Sequence, residues 1–206
     1  MKLLAIDCAT EACSVALFED TVLLAGECRV LMRGHAEAVV PMIAALPDKG
    51  RSDRIAVSLG PGSFTGLRVG LAAARALGLA WDVPVLGYST LALVAAMARQ
   101  QHGQIAVSAA MTGGHGEWFI ANYDAAGAEL SAPASYPPAA AALAAQADLI
   151  AGSQAAALVA QRGSGQAATI LPDARALMEL GCTGWIDPPQ LIYGRAPDAR
   201  LPEAAR

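Results

Sequence analysis

No stretch of about 18 apolar residues in this chain runs free of charges and turn formers, so the sequence predicts no membrane span, although 55% of its 206 residues are hydrophobic. Aromatic residues are scarce, at 5%. The apolar surplus is therefore in small side chains, Ala above all, which predicts close packing through Ala and Gly. Positive charge is scarce as well. Lys and Arg number 14 against 18 Asp and Glu, a net charge of −4, and the basic residues are scattered along the chain. A protein that bound RNA by itself would need a basic stripe to neutralise phosphates. Cys8, Cys13, Cys28 and Cys182 form no C-x-x-C pair, and three of them sit in apolar strand patterns. They read as buried thiols in a reducing cytoplasm. The opening MKLLAID reaches Asp7 too soon for the apolar region of a signal peptide and reads as a first strand.

Several catalytic signatures are also missing. His35, His102 and His115 lie far apart and form no H-x-x-x-H or H-E-x-x-H pair, so no zinc site is expected. Ser63 sits in Pro61-Gly62-Ser63-Phe64-Thr65, which is not the G-x-S-x-G of a nucleophile elbow. The glycine-rich GPGSFTGLR at residues 60–68 has no lysine at the phosphate-reading position of a Walker A loop, and it lacks the spacing of a dinucleotide turn. Ser63 or Thr65 can cap the helix that follows, whose N-terminus would attract an anion.

What is present reads as strands and helices in a repeated order. Strands are predicted at 2–7, 13–18, 22–30, 54–59 and 84–86. Helices are predicted at 35–46, where Val39, Met42, Ile43 and Leu46 recur at helical spacing around Pro41, at 67–80, and after a Ser89–Thr90 N-cap. From residue 105 the pattern starts again. Strands at 105–110 and 117–124, with a weaker one at 128–134, precede helices at 139–147 and 154–162 around a strand at 148–152; a strand at 168–171 and a helix at 173–180 follow. One register supports a duplication: Asp7 precedes Phe18 by the interval that separates Thr112 from Tyr123. The first strand thus ends in a carboxylate and its counterpart in an alcohol. Doubled β-β-β-α-β-α units of this kind resemble the actin-like ATPase superfamily. The fold expected is α/β: two tandem ribonuclease H-like halves with mixed sheets flanked by helices, the second degenerate. The halves span residues 1–103 and 104–185, with a tail at 186–206.

In the second helix Gly66, Gly70, Ala74 and Gly78 form a smooth stripe at every fourth position. Glycines cost a helix about 1 kcal/mol each relative to Ala, so the stripe needs a packing reason. Leu67, Leu71 and Leu77 could serve the chain's own sheet and leave the stripe to a partner.

Longer motifs resemble a family. MKLLAIDCATEACSVALF, the H-x-x-x-x-x-P-M of His35 to Met42, GPGSFTGLRVGL at 60–71 and the Y-x-R-A-P-D-A of Tyr193–Ala199 are similar to those of bacterial TsaB (YeaZ) proteins, in the same order. The resemblance implies a non-catalytic partner, in a heterodimer with a TsaD-like transferase, in making N6-threonylcarbamoyladenosine at position 37 of tRNAs that read codons beginning with A. It implies that a TsaE-like ATPase joins the pair, that ATP and a divalent metal belong to those partners, and that this chain binds no cofactor or metal alone and meets tRNA only indirectly. It also implies a cytoplasmic chain with no membrane association, and a homodimer in isolation. The interface expected is His35, Val39, Met42, Gly66, Arg68, Gly70, Ala74 and Gly78, and Asp7, Thr10 and Glu11 would be the remnant of a nucleotide site. No catalytic residue is expected. The chain departs from the family where D-A-R-x-G-E becomes Thr112-Gly113-Gly114-His115-Gly116-Glu117, which removes an acid and an arginine. The rival reading is a small actin-fold ATPase or kinase.

Overall fold

A computed structural model describes residues 1–181 and 184–192; Cys182 and the Tyr193–Ala199 motif lie outside the described residues. Strand β1 (Lys2–Asp7) is followed by β2 (Ala12–Glu19) and β3 (Val22–Val30), helix α1 (His35–Ala44), β4 (Arg54–Ser58), α2 (Phe64–Trp81), β5 (Val85–Tyr88) and α3 (Thr90–His102). The second series is β6 (Val107–Thr112), β7 (Trp118–Tyr123), β8 (Glu129–Tyr136), α4 (Pro138–Ala144), β9 (Leu149–Ala151), α5 (Ala155–Arg162) and β10 (Gln166–Ala168). A 3-10 turn, Ala174–Leu180, takes the place of the last predicted helix.

Local chemistry sets the helix starts. Ser63 Oγ accepts the Gly66 N–H at 3.3 Å, so α2 begins at Phe64, three residues before the apolar periodicity starts. Ser89 Oγ does the same for Ala92 at 3.3 Å and opens α3. Helix α1 runs through Pro41.

Each series folds into a five-stranded sheet. Their orders, β3-β2-β1-β4-β5 and β8-β7-β6-β9-β10, are the same topology twice. In both, the first three strands are antiparallel and the last two join the first in parallel. The equal-interval register of the sequence slips by one residue in the ladders. Phe18 faces Leu3, four residues before Asp7, whereas Tyr123 faces Val107, five before Thr112. The turn of the second hairpin is shorter by that residue.

The period-2 alternation of β1 divides its side chains between two cores. Leu4 and Ile6 face α1 and α2, while Leu3 and Ala5 face Leu93 of α3 and the 3-10 turn residues Ala174 and Leu177. Helix α3 is buried on two sides, since Leu91, Val94, Ala95 and Ala98 pack on the second sheet through Val107, Ala109 and Met111. The chain returns to the first sheet after β10. The Ala174 N–H donates to Ser14 Oγ at 2.9 Å, and the Ile192 N–H donates to the Leu59 carbonyl at 2.7 Å.

The interface set expected from the sequence is corrected here. Gly66, Gly70, Ala74 and Gly78 face the chain's own sheet and are buried there, as are Val39 and Met42 in the same core. His35 is buried as well, so Arg68 is the member of the set that stands exposed. The reason is the depth of the contact. A Cβ on Gly66 would overlap the Cys8 carbonyl oxygen, and one on Gly78 would lie 2.6 Å from Val85 Cγ2. The stripe brings α2 backbone onto the first sheet and is not available to a partner.

That geometry separates two substitutions. Gly66→Ala meets a carbonyl that cannot move aside and should cost roughly 1–3 kcal/mol, as overpacking of filled cores does. Gly70→Ala places its Cβ 3.4 Å from Cys8 Cβ and 3.5 Å from Val57 Cγ2, fits, and should recover part of the roughly 1 kcal/mol of helix propensity. Urea unfolding midpoints should fall for the first variant and hold or rise for the second. Equal midpoints would show that α2 does not sit on Cys8.

Candidate functional site

The ends of β1 and β6 meet across a cleft of about 1310 Å³. Its walls are the β1–β2 turn (Thr10, Glu11), the entry to α1 (Arg33 to His35), the first turn of α2 (Ser63, Phe64, Arg68), the β6–β7 turn (Thr112 to His115), and Ser153 and Ile192. Thr10 and Glu11 line one wall, with Thr112 facing from the other half.

Asp7 is not in that wall. It is fully buried behind it, on the α3 face of the first sheet. The Ala9 N–H donates to Asp7 Oδ1 at 2.9 Å, and the Tyr88 hydroxyl lies 3.0 Å from Asp7 Oδ2 and 3.1 Å from the Ile6 carbonyl. Burial pushes the carboxyl up to about 6, against the opposing hydrogen bonds from Ala9, Tyr88 and Ser58. Tyr88 and Ser58 were not singled out from the sequence. They lie 81 and 51 positions away, at the ends of β5 and β4, and only the parallel pairing of β1, β4 and β5 gathers them.

Around Asp7 the β1–β2 turn is held by its own chain. Thr10 Oγ1 accepts the Ala12 N–H at 3.2 Å. The Glu11 carbonyl accepts the Leu31 and Met32 N–H groups at 2.9 and 3.2 Å, and the Ala9 carbonyl accepts the Ser63 N–H at 2.7 Å. At the second strand end, Thr112 Oγ1 lies 3.1 Å from Ser153 Oγ and accepts from Gln154 Nε2 at 2.8 Å. A Cβ on Gly114 would meet nothing within 4 Å, so this position opens into free space. The Arg68 guanidinium lies 3.6 Å over the Phe64 ring. His35 is buried, and its Nε2 has no hydrogen-bond partner.

A hard divalent cation takes several oxygens that face one space. Here the acid points inward to Tyr88 and the opposing residue is an alcohol tied to its neighbours. Among the described residues no three His, Cys, Asp or Glu side chains gather closely enough to hold a metal ion. The residues present do not fit a metal-bound phosphate between the two strand ends.

Residues 29–178 match a family model described as TsaD: tRNA N6-adenosine threonylcarbamoyltransferase. Over 128 residues the chain is 40% identical to the tRNA threonylcarbamoyladenosine biosynthesis protein TsaB of Escherichia coli, a match covering 60% of this chain and 55% of the relative. Over 110 residues it is 39% identical to the protein of the same name from Haemophilus influenzae, covering 50% and 45%. The chain therefore spans about half the length of the curated relatives it matches. The structure of YeaZ from Pseudomonas aeruginosa superposes with a TM-score of 0.79 at 30% identity, covering 93% of this chain and 99% of that one. The ethanolamine utilization protein EutJ from Carboxydothermus hydrogenoformans, at 11% identity and a TM-score of 0.50 over 88% and 90% of the two chains, shares the fold alone.

The buried carboxyl gives a pH signature. Asp7 holds its proton up to about pH 6 when folded, against 3.8 ordinarily. The folded state therefore binds the proton more tightly, and stability falls as pH rises from about 4 through 6, by roughly 3 kcal/mol in all. In Asp7→Asn that part of the slope should vanish. Urea unfolding of both proteins from pH 4 to 7 tests this, and parallel profiles would mean that Asp7 titrates normally.

Proposed function

The chain belongs to the TsaB (YeaZ) family, and on that premise we propose that it is the non-catalytic partner of a TsaD-like transferase. The reaction served is formation of N6-threonylcarbamoyladenosine at position 37 of tRNAs that read codons beginning with A. One observation carries the non-catalytic part: Asp7, the carboxylate that closes the first strand, is turned away from the cleft and held by Ala9 and Tyr88. With Thr112 opposite, neither of these two strand ends offers a carboxylate to a metal ion. ATP, the divalent metal and the transfer itself then belong to the TsaD-like chain and a TsaE-like ATPase. A net charge of −4 fits a protein that meets tRNA through its partners in the cytoplasm. Among the described residues no helix is long and apolar enough to cross a membrane.

The partner surface is assigned to the outer face of α1 and α2. Val40 is 54% exposed, Phe64 56% and Leu79 87%, and Ala36, Ala44, Ala72 and Ala76 are exposed on the same two helices. These exposed apolar side chains support a surface that another protein covers, with an area of at least about 1,000 Å² for a specific contact. Without the partner, the same face pairs with a copy of itself about a two-fold axis.

Three outcomes are expected. The protein should co-purify with the TsaD-like chain of its own genome, and omitting it from a reconstituted modification assay should abolish product. Full modification without it would refute the reading. Val40→Glu and Leu79→Glu, at exposed positions where substitutions cost within about 0.5 kcal/mol, should leave the unfolding midpoint in place and sharply reduce co-purification; wild-type yield would move the interface elsewhere. Isothermal calorimetry with ATP and magnesium should record no binding to the isolated chain, and ATP turnover abolished by Thr112→Ala would favour the ATPase reading.

A further inference from the structure

The turn that ties the cleft together closes on two sulfurs. Asp7–Ser14 is the last rung of the β1–β2 ladder, and the next positions across are Cys8 and Cys13, whose Sγ atoms lie 3.7 Å apart. Both residues are fully buried beneath α2. We propose that Cys8 and Cys13 are a redox-sensitive pair which a hydroperoxide converts to a cross-strand disulfide, locking the Ala9–Ala12 turn.

The register supports this. Residues directly opposite in an antiparallel ladder have Cα atoms about 4.5–5.5 Å apart, inside the range a disulfide spans. The sulfurs already touch, and bonding asks them to close to about 2.05 Å. Cys28 is placed differently: it is half-buried on β3, opposite Ser14. The contact also divides the roles: the shared sulfur–sulfur hydrogen bond holds one thiol, Cys13, below its ordinary value against its burial, and pushes Cys8 up. The Cys13 thiolate attacks one peroxide oxygen and becomes a sulfenic acid, releasing hydroxide. Cys8 sulfur then attacks the sulfenic sulfur, the S–O bond breaks, and water leaves with the Cys8 proton. In sum two thiols and one hydrogen peroxide give one disulfide and two waters.

The bond would sit at the base of a turn on which two other segments hang. The Ala9 carbonyl holds the N-cap residue of α2, and the Glu11 carbonyl holds the approach to α1. Oxidation would therefore fix the starts of both helices relative to the sheet. This does not depend on which protein those helices meet.

The experiment uses the isolated chain carrying Cys28→Ser and Cys182→Ser, which leaves only the two thiols in question. After treatment with hydrogen peroxide, unfolding and alkylation, the chain should lose about 2 mass units with neither cysteine alkylated. Its thermal midpoint should rise by several degrees, and dithiothreitol should reverse both changes. Adding Cys13→Ser should abolish the cross-link and the rise. Peptide mapping of the peroxide-treated wild type, across the single tryptic segment 3–29, provides the same readout without substitutions at Cys28 or Cys182. The proposal fails if Cys8 and Cys13 stay alkylatable at peroxide doses that consume Cys28, or if the cross-linked chain melts lower than the reduced one.

Discussion

The first half of the molecule is organised by a contact of backbone on backbone. Gly62 and Gly66, on either side of the α2 N-cap, lie against the carbonyls of Ala9 and Cys8 so closely that neither could carry a side chain. The Ser63 N–H then reaches the Ala9 carbonyl. This contact places the first turn of α2 directly on the β1–β2 turn, and everything in the cleft wall follows from it. Thr10 and Glu11 are held at the mouth, and the following α2 residues lie along β4 and β5 with Leu67 and Leu71 filling the core. The glycine-rich motif is therefore a packing device. It looks like a phosphate cradle because both uses need a turn free of side chains.

A second consequence concerns the carboxylate just before that turn. In an open cleft a strand-end aspartate is available to a cation. Here β5 delivers Tyr88 beside β1 and closes the space from behind, so desolvation acts on Asp7 without a cation to offset it. Three donors from the chain compensate in part. The second half reaches the same end differently, with a side chain that carries no charge and neighbours that satisfy it. Neither strand end therefore presents a carboxylate to the cleft: Asp7 is buried behind it and Thr112, which lines it, carries no charge.

The duplicated order of strands and helices was legible in the sequence because each strand carries a continuous or alternating apolar run bounded by turn residues, and two of the helices announce their caps. The match between Asp7–Phe18 and Thr112–Tyr123 found the right strands but missed a one-residue difference in turn length, which intervals alone do not encode. The glycine stripe was found at the right positions and assigned the wrong direction. Periodicity locates a face of a helix; what that face touches depends on how close the sheet comes, and the sheet is built from residues far away in sequence. Tyr88 was invisible for the same reason. The Ala174–Leu180 segment carries a helical apolar pattern, yet the bond from the Ala174 N–H to Ser14 and the packing of Leu177 on the first sheet hold it as a tighter turn.

The position of α3 bears on what kind of protein this fold makes. Nucleotide-driven machines built on two such halves work by moving one half against the other. In this chain Leu93 of α3 packs on the first sheet, and Leu91, Val94, Ala95 and Ala98 pack on the second, all of them fully buried. The segment after β10 then crosses back, and Ala174 and Leu177 join the first core. A hinge that opened the cleft would strip one side of α3, exposing several aliphatic side chains at roughly 1.5–3 kcal/mol each. That cost holds the halves together. A chain with its strand-end acid buried and its halves cemented is suited to presenting a fixed surface rather than to opening and closing around a ligand.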